Sequence, residues 1–381
     1  MQTLVSDTIA VRIVHLGDST GKLQVIFADT DVLDLSAIAR ITKRRLEPTS
    51  LFNEKGDPFT RSIKIPTLID RNILSKEKVS ILYDSQSDFI ELSTEEFEGL
   101  FVTQPYSYDS FTIPPHTIPP IHSHHASDEE YLSEALGRFQ SIRLKQRLEE
   151  TLELPPLPVS AKKIITLCSR KNVDTDELCD VISLDPSLAA QVVSWASSPY
   201  YGAPGDIESV EDAIIRVLGF DMVMNLALGL SMKNVLDLPK NGPRHYEDFW
   251  FSAVSHAVLM EELVRKMPSG DRPRLGHAYL AGLLHNFGYL AIAVVLPPHF
   301  GILSRYIEAN AHLSSDIIEM QTLRFTKEQL GAWLLKHWGL PESIYTAVRY
   351  SKSPDYEGPH CKLALALQLC HQLFNDEQPN A

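Results

Sequence analysis

From Asp128 onward the sequence is a series of helix start and stop signals, with no strand pattern of comparable strength between them. That confines the second half of the chain to an all-α fold. Asp174 followed by Glu177 is spelled as a capping box, and Asp185-Pro186 sets a side-chain acceptor before a proline at a first helical turn. Ser209 with Asp212 opens a helix that Gly219 closes, and Thr326 with Gln329 opens another that ends at Gly339 and Pro341. The first hundred residues read differently. Residues 9–15 and 22–28 are rich in β-branched side chains and flank a Gly-rich turn at 17–21, the pattern of a hairpin. Asp34 or Ser36 then caps a helix running to about Arg45, and strands are predicted at 79–83 and 89–92. Between the halves, residues 103–127 turn to Pro, Ser, Tyr and His, with two Ile-Pro-Pro triplets that continue neither a helix nor a central strand. The expected fold class is multidomain α and β: an α/β domain over 1–102, a Pro/His-rich linker over 103–127, and an all-α domain over 128–381.

Charge narrows the partners. With 35 Lys and Arg against 49 Asp and Glu, the net charge of −14 sets the overall field against DNA and anionic lipid. The one basic run, Lys43-Arg44-Arg45, reads as a solvated helix end. Cys168, Cys179, Cys361 and Cys370 contain no Cys-x-x-Cys pair, so reduced thiols and a cytoplasmic setting are expected. Asp7, Arg12 and His15 interrupt any export signal, while His285, Asn286 and Gly288 interrupt the apolar run at 278–298, so no membrane span is expected. The linker histidines His116, His122, His124 and His125 lack carboxylate or thiol support and read as polar linker. Trp195, Tyr200, Tyr201, Trp250, Trp333 and Trp338 lie in helical patterns without a basic groove, which favours core packing over base stacking.

Several ordered motifs of the second half carry a resemblance. Leu154-Pro-Pro-Leu-Pro158, Ser183-Leu-Asp-Pro-Ser-Leu188, Trp195-Ala-Ser-Ser-Pro-Tyr-Tyr-Gly202 and Ser209-Val-Glu-Asp-Ala-Ile-Ile-Arg-Val-Leu-Gly219 resemble the HDOD domain, the HD-related output domain of bacterial signalling proteins. The resemblance runs from about Leu152 to the end and implies a helical half similar to HD phosphohydrolases. An HD site joins histidines and aspartates around one or two cations. Here His285 is followed by Asn286, whose neutral carbonyl replaces an anionic carboxylate; Ser252 stands where the pattern suggests a histidine, with His256 one turn later; and Lys327 brings a cation. The resemblance therefore implies a vestigial pocket of His285, Asn286, Ser252, His256 and Lys327, with no catalytic residue, no metal and no cofactor. A solitary histidine in an apolar helix is ordinarily a hydrogen-bonded core residue. The functional alternative is a metal-free pocket in which His285, Asn286 and Lys327 hold an anionic ligand such as a nucleotide phosphate.

The N-terminal half is similar, over most of residues 9–100, to the aminoacyl-tRNA deacylase domain that edits mischarged prolyl-tRNA. The matching pieces are Leu23-Gln-Val-Ile-Phe-Ala-Asp29, Leu33-Asp-Leu-Ser-Ala-Ile-Ala39, Gly56-Asp-Pro-Phe59 and residues 65–74. The resemblance implies a lysine on an early strand and a loop of backbone donors to an oxyanion. This chain offers Arg12 on that strand and Gly56, Asp57 and Pro58 in the loop, and an arginine does not replace an ammonium in a tight site. The expected function is a bacterial regulatory or signal-transduction binding module whose partner is a protein or a small signalling ligand. The alternatives are aminoacyl-tRNA editing or tRNA binding through the N-terminal domain, and residual metal-dependent phosphohydrolysis using His256 and His285.

Overall fold

The computed structural model describes residues 8–49, 65–82, 89–101, 106–120, 128–138, 159–168, 170, 173–198, 205, 207–233 and 249–376. The chain divides into two compact units, one of Met1–Pro120 with Gly301–Arg324, the other of Ile121–Phe300 with Phe325–Ala381.

The first unit is built on a mixed sheet. Its elements are β1 (Thr8–Asp18), β2 (Gly21–Ala28), β3 (Val32–Leu33), α1 (Leu35–Thr42), β4 (Glu47–Pro48), β5 (Thr67–Asp70), β6 (Lys78–Leu82), β7 (Phe89–Ser93), α2 (Thr94–Phe101), β8 (Tyr106–Asp109) and β9 (Thr112–Ile113). The predicted hairpin forms with β1 and β2 in antiparallel register, Val11 opposite Ala28 and Asp18 opposite Gly21. The strand order is β7-β6-β1-β2-β5-β8, with β6 parallel to β1, and β2, β5 and β8 mutually parallel. Residues 23–28 of β2 are all buried, because both faces of the sheet are covered. Strand alternation sends Val25, Phe27 and Leu68 into one core with Ala37 and Ile38 of α1, and Ile26 and Ile69 into a second core with Phe97 of α2. Arg44 of the basic run does not float in solvent. It grips Asp18 at the hairpin turn through two hydrogen bonds of 3.0 and 2.6 Å.

Two expectations about the domain limits need correction. The stretch expected to be linker from residue 103 contributes β8 and β9, and Phe111 between them is buried. An edge strand uses one row of its backbone groups, so proline-flanked polar residues serve there where a central strand would not tolerate them. The second correction concerns Gly301–Arg324, which belongs to the first unit although it lies deep in the second half of the sequence. Ala309 joins the α1 core, and the Asn310 amide acts as a strand partner, accepting from Leu33 N at 2.7 Å and donating to Leu33 O at 3.3 Å. Tyr306 donates to Asp34 Oδ1 at 2.8 Å, and Asp34 in turn caps α1 by accepting from Ser36 N.

The second unit is helical throughout its described residues: α3 (Asp128–Arg138), α4 (Val159–Cys168), α5 (Thr175–Ser183), α6 (Pro186–Ala196), α7 (Val210–Asp212, continuing as a π-helical turn through Leu218) and α8 (Phe220–Lys233). They are followed by α9 (Phe249–Arg265), α10 (Leu275–Leu284), α11 (Phe287–Val295), α12 (Pro297–Ala309, which passes into the first unit), α13 (Ser315–Thr322, within it), α14 (Lys327–His337), α15 (Glu342–Tyr350) and α16 (Cys361–Asp376). Thr326 and Gln329 form the predicted capping box, with both reciprocal bonds present. Ser209 caps α7, and Gly219 ends the π-helical turn at a φ of 80°. Asp174 precedes α5 as expected but makes no side-chain cap bond, and Glu177 pairs instead with Arg170 at 2.7 Å. No single described helix is long and apolar enough to cross a membrane.

A buried ion pair fixes α3. The Asp128 carboxylate accepts from Arg349 Nε and Nη2 and from Gln329 Nε2 at 3.0 Å, and the two charged side chains are only 5% and 2% exposed. Removing one partner leaves the other charged and unsolvated, a cost of about 3–5 kcal/mol. Asp128→Ala is therefore expected to lower the unfolding free energy by about that amount, read as a drop in urea midpoint with an unchanged slope.

Candidate functional site

Two glycines bring the site together. A Cβ on Gly282 of α10 would lie 2.6 Å from His256 O and 2.7 Å from Ala257 Cα, so only glycine lets α10 run against α9 at this depth. The approach stacks His256 of α9 on His285, the residue that ends α10, with ring centroids 4.0 Å apart and planes at 19°. A Cβ on Gly288 of α11 would lie 1.8 Å from Lys327 O and 2.9 Å from Gly331 N, so α11 meets the start of α14 backbone to backbone. This contact puts the Lys327 ammonium on Asn286 Oδ1, at 2.5 Å.

His285 is not solitary. The third imidazole is His371 of α16, its centroid 5.1 Å from that of His285 and 5.4 Å from that of His256, and one ligand atom from each of the three lies within 4.8 Å of the others. The motif pattern gave no indication of His371. The readable signal was its position in the apolar stripe of α16, one turn after Leu367 and beside Cys370, both buried.

Two of the histidines are oriented by a backbone carbonyl. His256 Nδ1 donates to Ser252 O at 2.8 Å and His285 Nδ1 donates to Gly282 O at 2.7 Å, which leaves each Nε2 with its lone pair. Ser252 is thus a positioning residue, acting through its carbonyl. His371 Nε2 is buried without a hydrogen-bond partner among the described residues. Burial lowers the pKa of His256, and burial with the two neighbouring imidazoles holds His285 well below the ordinary range. Burial and the Lys327 ammonium push His371 down to about 3. Three neutral imidazoles with bare nitrogens are a donor set for one borderline cation such as zinc. Tetrahedral bonds of about 2.0–2.1 Å need donor atoms about 3.3 Å apart, closer than the 4.8 Å within which these atoms lie, so the rings would have to draw together to hold it. They do not suit a pair of hard cations, for Asn286 supplies no charge and its carbonyl already accepts from Lys327.

Lys327 belongs to the pocket, its side chain 17% exposed. Its charge is balanced by Glu328, whose carboxylate lies 3.9 Å from Lys327 Nζ and 3.3 Å from Lys352 Nζ. Burial alone would raise the pKa of Glu328; Lys352 and Lys327 override it and hold the pKa at about 2. Arg12, the candidate of the first unit, lies on β1 and donates from Nε to Asp29 Oδ1 at 2.7 Å, in the turn that follows β2, an ion pair that ties the strand to that turn. Gly56, Asp57 and Pro58 lie outside the described residues.

Two expectations follow. Gly288→Ala overpacks a backbone contact with no room to relax and is expected to cost about 3 kcal/mol or more, measured by chemical denaturation. The neutral histidines set an acid limit. Above about pH 6.5 both folded and unfolded imidazoles are neutral; below it the unfolded chain takes up protons that folded His371 refuses down to about pH 3. Stability should fall within that window by up to about 1.4 kcal/mol per pH unit from this group. His371→Leu should flatten the slope of denaturation midpoint against pH.

The chain matches the HDOD domain family over residues 154–354. It superposes on a candidate signal-transduction protein of Marinobacter aquaeolei VT8 with a TM-score of 0.88 and 39% identity, over 99% of this chain and 85% of that one. A candidate phosphohydrolase of Shewanella amazonensis SB2B shares the fold at a TM-score of 0.51 and 23% identity, over 60% of this chain and 80% of that one. An uncharacterized protein of Treponema pallidum (strain Nichols) is 21% identical over 212 residues, which span 55% of this chain and only 40% of the relative. With the matched segment taking up more than half of its 381 residues, the chain belongs to the HDOD domain family.

Proposed function

We propose that this protein is a regulatory, signal-transducing binding module and that its HD-like pocket does not hydrolyse phosphoesters. The observation that carries the reading is the Lys327–Asn286 bond of 2.5 Å. A hydrolase of this fold needs an anionic carboxylate beside the histidine to hold cations and activate water. Here an ammonium lies on Asn286 beside His285, and the Glu328 carboxylate is committed to Lys327 and Lys352. The likeness to the Marinobacter protein, whose description is signal transduction, supports the same reading at 39% identity.

A second reading has an observation of its own. His256, His285 and His371 would hold one transition-metal ion, which would supply a Lewis acid, while Lys327 would anchor a bound anion. For the N-terminal unit we propose recognition, of a protein, a small signalling ligand or tRNA, in place of aminoacyl-tRNA editing. Arg12 is occupied by Asp29, which supports a structural role for that strand position.

The test loads the purified full-length chain with manganese, iron(II) or zinc, then measures metal by elemental analysis and turnover of p-nitrophenyl phosphate and its bis-ester. The expected result is no turnover above that of His285→Ala. Turnover that disappears in both His285→Ala and His371→Ala would overturn the regulatory reading. Metal at one equivalent that disappears in His371→Ala, without turnover, would make the cluster a metal-binding element of a non-hydrolytic module.

A further inference from the structure

A cleft of about 640 Å³ opens in the second unit between the loop at residues 270–274 and the start of α16. Its volume lies within the range of small-molecule sites, about 300–1,000 Å³. The charged side chains that line it are Arg272, Arg274, Lys362 and Asp271, so three cations face one carboxylate in a chain whose net charge is −14. The Arg272 guanidinium is held in place, donating to Met267 O from Nε at 3.2 Å and from Nη2 at 2.8 Å. Lys362 pairs with Asp271 at 2.6 Å, both largely exposed, a bond that a stronger anion can replace. Arg274 makes no ion pair among the described residues.

The backbone adds to the same field. Residues 274 and 277 flank the start of α10, Ser343 lies in the first turn of α15, and residues 361–363 open α16, so the first turns of three helices line one cleft. Each helix start carries a partial positive charge; at α16 the Cys361 and Leu363 amides already bond to Gly358 O and His360 O, so this helix contributes through its dipole. His277 is held near the floor by a 2.7 Å bond between its Nδ1 and Ser343 Oγ. Burial and the Arg274 charge push its pKa down to about 4, so it enters as a neutral hydrogen-bonding group.

We propose that this cleft binds the phosphoryl group of a small phosphorylated ligand, with Arg274 and Lys362 as its charged contacts. A planar guanidinium and a movable ammonium set beside helix starts suit the several acceptor oxygens of a phosphate. The open mouth leaves room for the rest of the molecule. The cleft shares no residue with the histidine cluster. Loss of the proposed binding would therefore leave the regulatory reading standing, and turnover at the cluster would overturn that reading without touching the cleft.

The test is calorimetric titration of the full-length chain with inorganic phosphate and with AMP at constant ionic strength. The expected result is saturable one-site binding that weakens at least tenfold in Arg274→Gln and in Lys362→Gln. Lys336→Gln, an exposed lysine of α14 outside the cleft, should leave it unchanged. All three substituted side chains are exposed, and circular dichroism melts should confirm unaltered folding. No saturable binding by either probe would overturn the proposal, as would equal weakening in Lys336→Gln, which would mean diffuse attraction. Retention on heparin or RNA without binding of either small probe would also overturn it, since the patch would then be a polyanion surface.

Discussion

The second unit depends on helix backbones touching where glycine removes the side chain. Gly282 lets α10 reach the backbone of α9, and Gly288 lets α11 reach the start of α14. Everything chemical in the pocket hangs from these two contacts. The first aligns the imidazoles of His256 and His285; the second delivers Lys327 to Asn286. Interiors are close-packed and respond to even one added methyl group, so the pocket geometry is set by what these positions lack.

Once the helices are that close, electrostatics decides what the pocket tolerates. Three imidazoles beside an ammonium are acceptable only if all three stay neutral, and burial keeps them so. Lys327 and Lys352 are acceptable only because Glu328 stays ionised between them. The charges balance within the pocket, while the three imidazole nitrogens, His371 Nε2 without a partner among the described residues, stay open to a cation. The same logic runs in the opposite direction at the cleft near Arg274, where the cations have one exposed carboxylate among them and an outside anion would complete the balance.

What the sequence made legible is what local chemistry controls. The hairpin from Thr8 to Ala28, the Asp34 cap of α1, the Thr326 capping box and the Gly219 stop are each decided by a few neighbouring residues, and each forms. His256, His285, Asn286 and Lys327 were readable as candidates because motifs name them, and they do come together. His371 was not, since its role follows from α16 folding back on α9 and α10, a long-range event that leaves no spacing rule in the chain. Residues 106–113 were masked by composition: proline-flanked polar sequence signals a linker unless a sheet edge happens to be waiting. The placement of Gly301–Arg324 in the first unit was equally hidden, because its helices carry the same periodicity as those that pack in the second.

That last placement changes what a domain means in this chain. The family match covers 154–354 without a break, yet 301–324 inside it completes the first unit. Asn310 satisfies both backbone groups of Leu33, Ala309 fills the α1 core, and Tyr306 holds the Asp34 cap. Cutting the chain after Pro120 would strip Leu33 N and O of their Asn310 partner and leave the core face of Ala309 uncovered. Conversely His371, the third imidazole, lies beyond the family match, on a helix whose buried Leu367 and Cys370 pack it into the second unit. The borders of the family pattern and of the folded units therefore do not coincide at either end. A change in 301–324 acts on the sheet unit, and a change in α16 acts on the histidine pocket, whatever the motif boundaries suggest.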